Sequence, residues 1–329
     1  MLFSRNDVHD NIANPLPDTT EDVKMIEIAS FSSVPCYAVL SENMIYENTT
    51  ILTPPIYCSF AIADLYRNYI CNNHHTNAAL CAHAFGGGGM FLMGNNDYNN
   101  SAIGGGVNSI YTVRDNIIAN NYSALYGGGI YVYNAKTLIA NNTIVHNKAP
   151  RGGGIDLFMI DTVTVCVKNN ILFDNENENI MYGTGNVVLT GLSQTNIRYD
   201  HNSITQPVSA DLVIPMVIGG HVSMVSDTST NVIDSTPGMA HATLMADYTE
   251  SALTADFSLV AGSPCINKGM DSAVSPGDAD YAGNNRINDT VDIGAYEYGA
   301  AIAGVSPSAP QDTMFKYCCG IITRYPPPI

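Results

Sequence analysis

Between Phe85 and Met159 the chain repeats one short pattern: a run of glycines and then four residues that are mostly apolar. It occurs as Gly86 to Gly89 before MFLM, Gly104 to Gly106 before VNSI, Gly127 to Gly129 before IYVY, and Gly152 to Gly154 before IDLF. In a β-strand successive side chains point to opposite faces, so each tetrad is read as a strand with two inward and two outward residues. Aligned at the last glycine, Met90, Val107, Ile130 and Ile155 point inward, followed by Leu92, Ser109, Val132 and Leu157. The outward columns are Phe91, Asn108, Tyr131 and Asp156, then Met93, Ile110, Tyr133 and Phe158. The expected outer face is apolar and partly aromatic.

A second element alternates with the first. Asn-x4-Asn begins at Asn43, Asn68, Asn95, Asn116, Asn142 and Asn170, and a decayed copy, NSITQP, starts at Asn202. A recurrence of roughly 20–45 residues in which two elements keep their order is the mark of a solenoid. Stacked coils place equivalent residues about 4.8 Å apart, so a turn asparagine can donate its amide to the carbonyl of the asparagine one coil away. An unpaired buried amide costs about 1–3 kcal/mol, which holds such a repeat in register. The glycines suit a turn that needs positive φ or close approach between coils.

The fold expected is all-β, a single-stranded right-handed parallel β-helix with irregular ends. Residues 1–42 are read as an irregular N-terminal segment or partial first coils, 43–206 as the repeats, 207–300 as irregular final coils and a closing region, and 301–329 as a disordered tail. The tail's Pro326, Pro327 and Pro328 argue against further stacking, since proline removes a ladder donor.

The composition is not helical: glycine numbers 28 and asparagine is abundant, both poor helix formers, while Val, Ile, Thr and Tyr favour strands. A net charge of −17 repels a phosphate backbone, so nucleic acid is not an expected partner. Eight cysteines lie at irregular intervals without a CxxC pair, which points to core thiols; a Cys71–Cys81 disulfide stays open. No apolar run reaches the length of a transmembrane segment, and MLFSRNDVHDNIANP lacks the basic and apolar regions of a signal peptide. A truncated parent with a lost leader is the alternative.

The region from about Asn43 to Asn202 resembles the right-handed parallel β-helix repeat proteins of microbial surfaces. Its GGG[IV] and aliphatic-x-x-Asn elements are similar to the repeats of polymorphic outer-membrane proteins, with Phe mostly replaced by Ile or Leu and without a C-terminal barrel. FSLVAGSPCINKG (Phe257 to Gly269), DYAGNNR (Asp280 to Arg286) and VDIGAYEYG (Val291 to Gly299) resemble the closing region of secreted bacterial β-helix proteins. Cys265 stands where that family usually has Ala, and Asn267 where it has Asp. The resemblance implies an extracellular or cell-surface location.

Enzymes on such folds usually act on polysaccharides. A β-elimination needs a basic proton acceptor beside carboxylates that hold Ca²⁺. Lys148 and Arg151 near Asp156 and Asp161 are the catalytic candidates, although the first two sit in a turn. Glycoside hydrolysis needs two carboxylates at defined separation; Asp156 and Asp161 are expected on one coil and Asp174 and Glu176 on the next, although isolated acids on turns are ordinarily there for solubility. Asp278, Asp280, Asp289 and Asp292 are candidate Ca²⁺ ligands within the closing motif; the structural reading there has Arg286 bridging Asp280 or Glu297 and so closing the solenoid end. Phe91, Asn108, Tyr131, Tyr133, Asp156 and Phe158 are the candidate carbohydrate-binding residues, against the simpler reading that they pack beneath a loop. Sequons at Asn48, Asn99, Asn121, Asn141 and Asn288 mostly coincide with ladder positions and are read as incidental.

The resulting expectation is a surface or secreted scaffold, binding or adhesive toward a polysaccharide or cell-surface glycan. A polysaccharide-degrading enzyme, lyase before hydrolase, is the alternative, and a decayed gene product without activity is a third reading.

Overall fold

The computed structural model describes residues 1–13, 25–29, 36–76, 86–94, 109–159, 163–177, 180–184, 194–204, 221–226, 230–233, 236–241 and 252–301. It is a parallel β-helix. Strands from successive coils stack into four parallel sheets. The first contains Leu2–Ser4, Cys36–Ser41, Ala61–Tyr66, Ile110–Arg114, Lys136–Ala140, Thr164–Lys168, Gln194–Asp200 and His221–Ser226. The second runs from Asp7–His9 through Tyr69–Cys71 and Thr143–Val145 to Val232–Ile233, and the short third joins Ile12–Ala13, Thr49–Thr50, His74–His75 and Tyr122–Ser123. The fourth stacks Ile26–Ala29, Ile56–Ser59, Met90–Met93, Ile130–Tyr133, Ile155–Met159 and Ile180–Thr184.

The spacing of Asn-x4-Asn follows from this geometry. A coil leaves the first sheet through one residue of left-handed conformation, such as Arg67 (φ 54°), followed by an inward asparagine, Asn68. Three residues of second-sheet strand, Tyr69–Cys71, lead to another left-handed residue, Asn72 (φ 55°), and another inward asparagine, Asn73. Asparagine, aspartate and glycine tolerate that conformation best. The first corner also carries Arg5, Glu42, Arg67 and Asp115, and Glu42 pairs with both Arg5, at 2.6 Å, and Arg67.

Both corners form asparagine ladders of one polarity. At the first, the backbone N–H and Nδ2 of Asn43 donate to Oδ1 of Asn68 (3.1 and 2.9 Å), Asn68 donates likewise to Asn116, Asn116 to Asn142, Asn142 to Asn170 and Asn170 to Asn202. At the second, Asn48, Asn73, Asn121, Asn147 and Asn175 repeat the arrangement. Each Nδ2 also reaches a backbone carbonyl of the preceding coil, as from Asn116 to Leu65 at 2.8 Å. Amides sealed in the core are thereby satisfied by one another.

One expected coil is not a coil. Asn68 bonds directly to Asn116 across 48 residues, and Ala61–Tyr66 pairs with Ile110–Arg114. The ladder therefore passes from Asn68 to Asn116 with no rung between them, and the Asn95 to Asn100 copy lies outside the described residues. Of VNSI, Val107 and Asn108 lie outside the described residues and Ile110 belongs to the first sheet, while Met90 pairs with Ile56 on one side and Ile130 on the other. Residue-type recurrence cannot separate a new turn of the helix from an excursion within one turn; the hydrogen-bonded register can.

The glycine run divides its work. Gly127 and Gly152 take positive φ (58° and 62°), whereas Gly128 is a point of contact between coils. A Cβ at Gly128 would lie 2.5 Å from the Lys148 backbone nitrogen and closer still to the Gly153 carbonyl oxygen, neither of which can yield as a side chain would. Thr53, Pro54 and Pro55 occupy the corresponding place before Ile56.

The predicted inward residues Met90, Leu92, Ile130, Val132, Ile155 and Leu157 are all core. The third sheet instead sends Thr50, His75 and Ser123 inward. Burial lowers the His75 pKa to about 4, so that ring is neutral.

Residues 252–301 lie along the outside of the second sheet rather than across an end of the solenoid, which corrects the expected closing role. Phe257, Leu259, Cys265, Ile293 and Ala295 cover Tyr69, Cys71, Ile117, Ala119, Val145 and Ile171. Backbone contacts fix the register: Gly294 N–H donates to the Asn169 carbonyl (2.7 Å), Ala295 N–H to Thr143 Oγ1 (3.1 Å), and Tyr69 OH to the Ala252 carbonyl (2.6 Å). Gly294 (φ 106°) presses on Ile171, whose Cδ1 would lie 2.5 Å from a Cβ there.

Candidate functional site

The outer face of the fourth sheet carries most of the proposed binding residues in two columns set by strand register. One column reads Glu27, Tyr57, Phe91, Tyr131 and Asp156; the other reads Ala29, Ser59, Met93, Tyr133, Phe158 and Gly183. Stacked rungs force neighbouring rings together. Phe91 and Tyr131 lie 5.0 Å apart and 15° from parallel, Tyr133 and Phe158 5.4 Å apart and 9° from parallel. Tyr57 and Tyr126 complete the cluster, tilted against Phe91 and Tyr131.

This packing changes the character of the face. Tyr57, Phe91 and Tyr131 are buried by one another, Tyr131 to 4% exposure, while Met93, Tyr133 and Phe158 form a half-buried rim. Burial lifts the Tyr131 phenol well above its ordinary pKa. The glycan-stacking surface read from strand alternation is thus largely a satellite core, because rings 5 Å apart cover each other's faces. Asn108 lies outside the described residues.

Arg151 and Asp156 form a bidentate pair, Nε to Oδ2 at 2.5 Å and Nη2 to Oδ1 at 3.0 Å, with Asp156 sealed from solvent. The guanidinium stacks 4.5 Å from the Tyr126 centroid and 5.7 Å from that of Phe158. Burial pulls the Arg151 pKa down, but the hydrogen bond and charge of Asp156 outweigh it and the net shift is upward, so this group holds its proton more firmly and is unsuited to accept one. Lys148 pairs with Glu176 at 2.7 Å, and Asp174 with His146 at 3.3 Å. Asp161 lies outside the described residues. The structure brings Arg151 and Asp156 together as a strut and places Lys148 and Glu176 in a neighbouring exposed pair.

The proposed calcium ligands are not convergent. Asp280 accepts from the backbone of Asn284 (2.7 Å) and Glu297 (2.9 Å), and Asp292 from the backbone of Asn267 and Tyr298 (2.6 Å each). Asp278 accepts from the Ser275 backbone at 2.8 Å, and Asp289 is an exposed turn residue with φ 70°. Among the described residues no group of three or more His, Cys, Asp or Glu side chains is placed to hold a metal ion.

Arg286 does not bridge Asp280 or Glu297. Its Nε lies 3.4 Å from Asp115 Oδ1, and its Nη2 donates to the Asp292 and Gly294 carbonyls. Glu297 instead accepts backbone N–H groups from Asn288 (3.2 Å) and Asp292 (3.0 Å). Burial, joined by the nearby Asp292 charge, pushes Glu297 up to about 8 against those hydrogen bonds and Arg286. The carboxylates of this segment bind its own irregular backbone.

Cys58, Cys71, Cys166 and Cys265 are free thiols, and Cys81 lies outside the described residues. The ladder sequon residues Asn48 and Asn121, and Asn141 at a corner, are buried, whereas Asn288 is exposed. Among the described residues no helix is long and apolar enough to cross a membrane.

Tyr57, Tyr126 and Gly183 are members of the site that the sequence pattern missed. Tyr57 lacks a preceding glycine run, and Gly183 sits on a strand, Ile180–Thr184, without either repeat signature. Tyr126 directly precedes a glycine run, a position the strand alignment does not cover. No protein-family model, no curated protein and no solved structure matches the chain.

Proposed function

We propose that the protein is a secreted or cell-surface β-helix scaffold that binds carbohydrate on the outer face of its fourth sheet. The observation that carries this reading is the half-buried rim of Met93, Tyr133 and Phe158 with the Arg151 guanidinium beside it. An apolar ledge next to a fixed polar donor suits a sugar, which has an apolar C–H face and a hydroxyl edge. The net charge of −17 favours neutral glycans over polyuronates. The likeness of GSPCINKG and DIGAYEYG to secreted bacterial closing regions supports the location.

The test is to titrate the purified protein with cellohexaose, xylohexaose, mannohexaose and polygalacturonate, with and without Ca²⁺, following heat and unsaturated-product absorbance together. Saturable binding of a neutral hexasaccharide without turnover is expected. Product formation would replace the scaffold with a lyase, and absence of binding to all four would remove the carbohydrate reading.

A further inference from the structure

Within the aromatic cluster the two faces of a ring are not equally available. Phe91 and Tyr131 stack on each other, and the next position after Tyr131 is taken by the Arg151–Asp156 pair. In the second column Tyr133 lies between Met93 and Phe158. Phe158 stacks on Tyr133 with one face, and its partner on the following rung is Gly183. Glycine places no side chain there, so among the described residues nothing on that rung, about 4.8 Å away, covers the second face of Phe158. Among the described residues no aromatic ring lies on that face.

Arg151 also lies over the Phe158 ring. Its pair with Asp156 engages Nε and Nη2, which leaves Nη1 as the edge of the guanidinium turned away from the carboxylate. Its carbon lies 5.7 Å from the Phe158 centroid.

We propose that this gap is a seat for a single neutral pyranose ring, stacked by its C–H face on Phe158 over Gly183 and hydrogen-bonded by a hydroxyl to Arg151 Nη1. The proposal rests on the carbohydrate reading and gives that face a defined subsite. A ring's negative π-face attracts polarised C–H groups, and one rung of depth admits one ring. Because Asp156 already neutralises Arg151, the seat discriminates through a hydrogen bond and not through net charge.

Gly183→Phe fills the seat without removing a contact, and Phe158→Ala removes its floor. Each is titrated with the neutral hexasaccharide that binds the unaltered protein best, alongside Phe158→Trp. Circular dichroism and melting temperature confirm that the coils are retained. A loss of affinity of tenfold or more in Gly183→Phe, with Phe158→Trp binding at least as well as the unaltered protein, is expected. Unchanged affinity in Gly183→Phe overturns the seat while leaving the carbohydrate reading in place. Failure of the unaltered protein to bind any of the hexasaccharides overturns both. Should Phe158→Ala fail to fold, Gly183→Phe and Phe158→Trp still decide the matter.

Discussion

Arg286 and Asp115 meet at 3.4 Å with both side chains sealed from solvent, one on the lateral segment and the other at a corner of the solenoid. Burial pushes Asp115 up to about 6 against the pull of Arg286 and Arg114. Without Arg286, Asp115 keeps its 3.2 Å pair with Arg114, but the Asp292 and Gly294 carbonyls lose their donor, a cost of about 1–3 kcal/mol. Arg286→Ala should therefore lower stability by that amount and expose residues 252–301 to limited proteolysis before the coils are cut. Simultaneous loss of both regions would show that the segment and the coils unfold as one unit.

Stability should fall as pH rises from about 4.5 to 8. Glu297, at about 8 in the fold against an ordinary 4.5, and Asp115, at about 6 against 3.8, both bind protons more tightly when folded. His75, at about 4 against 6.5, acts the other way below about pH 6.5. Two groups against one still leave more protons on the folded state across this window, and that sign makes stability decrease with pH. Melting temperatures at pH 5, 6, 7 and 8 test the slope. Glu297→Gln should flatten its upper half, and an identical slope in that variant would remove Glu297 as the cause.

The ladder predicts a contrast between two polar substitutions. Asn116→Ala leaves the Asn68 backbone N–H without its acceptor and takes one bond each from Asn68 Nδ2, the Leu65 carbonyl and Asn142 Oδ1 in the core. Each unpaired buried group costs about 1–3 kcal/mol, so a loss on the order of 3–5 kcal/mol is expected after partial relaxation. Glu176→Ala breaks a pair about 40% exposed and should cost under about 1 kcal/mol. Urea midpoints compare the two directly.

The two sides of the fourth sheet should respond differently in kind. Ile130→Asp buries a charge within the stacked array and should unfold several coils. Tyr131→Ala leaves a cavity among Phe91, Tyr126 and Tyr133, at about 3–5 kcal/mol, with the parallel sheets retained. Circular dichroism of the soluble fraction distinguishes local loosening from loss of coils, and loss of the strand signal in Tyr131→Ala would contradict its placement outside the core.

The ladder and the inward columns are readable from residue types because each rung must satisfy the same demands: an amide that bonds its own kind, a small residue where backbones touch, an aliphatic one inside. That the ladder passes from Asn68 directly to Asn116 is not readable, because the Asn95 to Asn100 copy has the same residue types at the same spacing as the true rungs. Burial of Tyr131 escapes strand alternation, which assigns a face but says nothing of what neighbouring rings do on it. Arg286 lies far along the chain from Asp115 and carries no periodic signal that could join them. Its sequence neighbours Asp280 and Glu297 look like the natural partners until backbone N–H groups claim them.

The coil that joins Asn68 to Asn116 shows that the solenoid reads corners and ignores the length of chain between them. Asn43 and Asn68 make the same bonds across 25 residues. A foreign peptide grafted between Gly94 and Ser109 would enter no rung, so long as both corner amides stay in place. The architecture is in that sense a chassis: its rigid part is a short vocabulary of asparagine, glycine and alternating aliphatic residues, and between those words the chain is open to cargo.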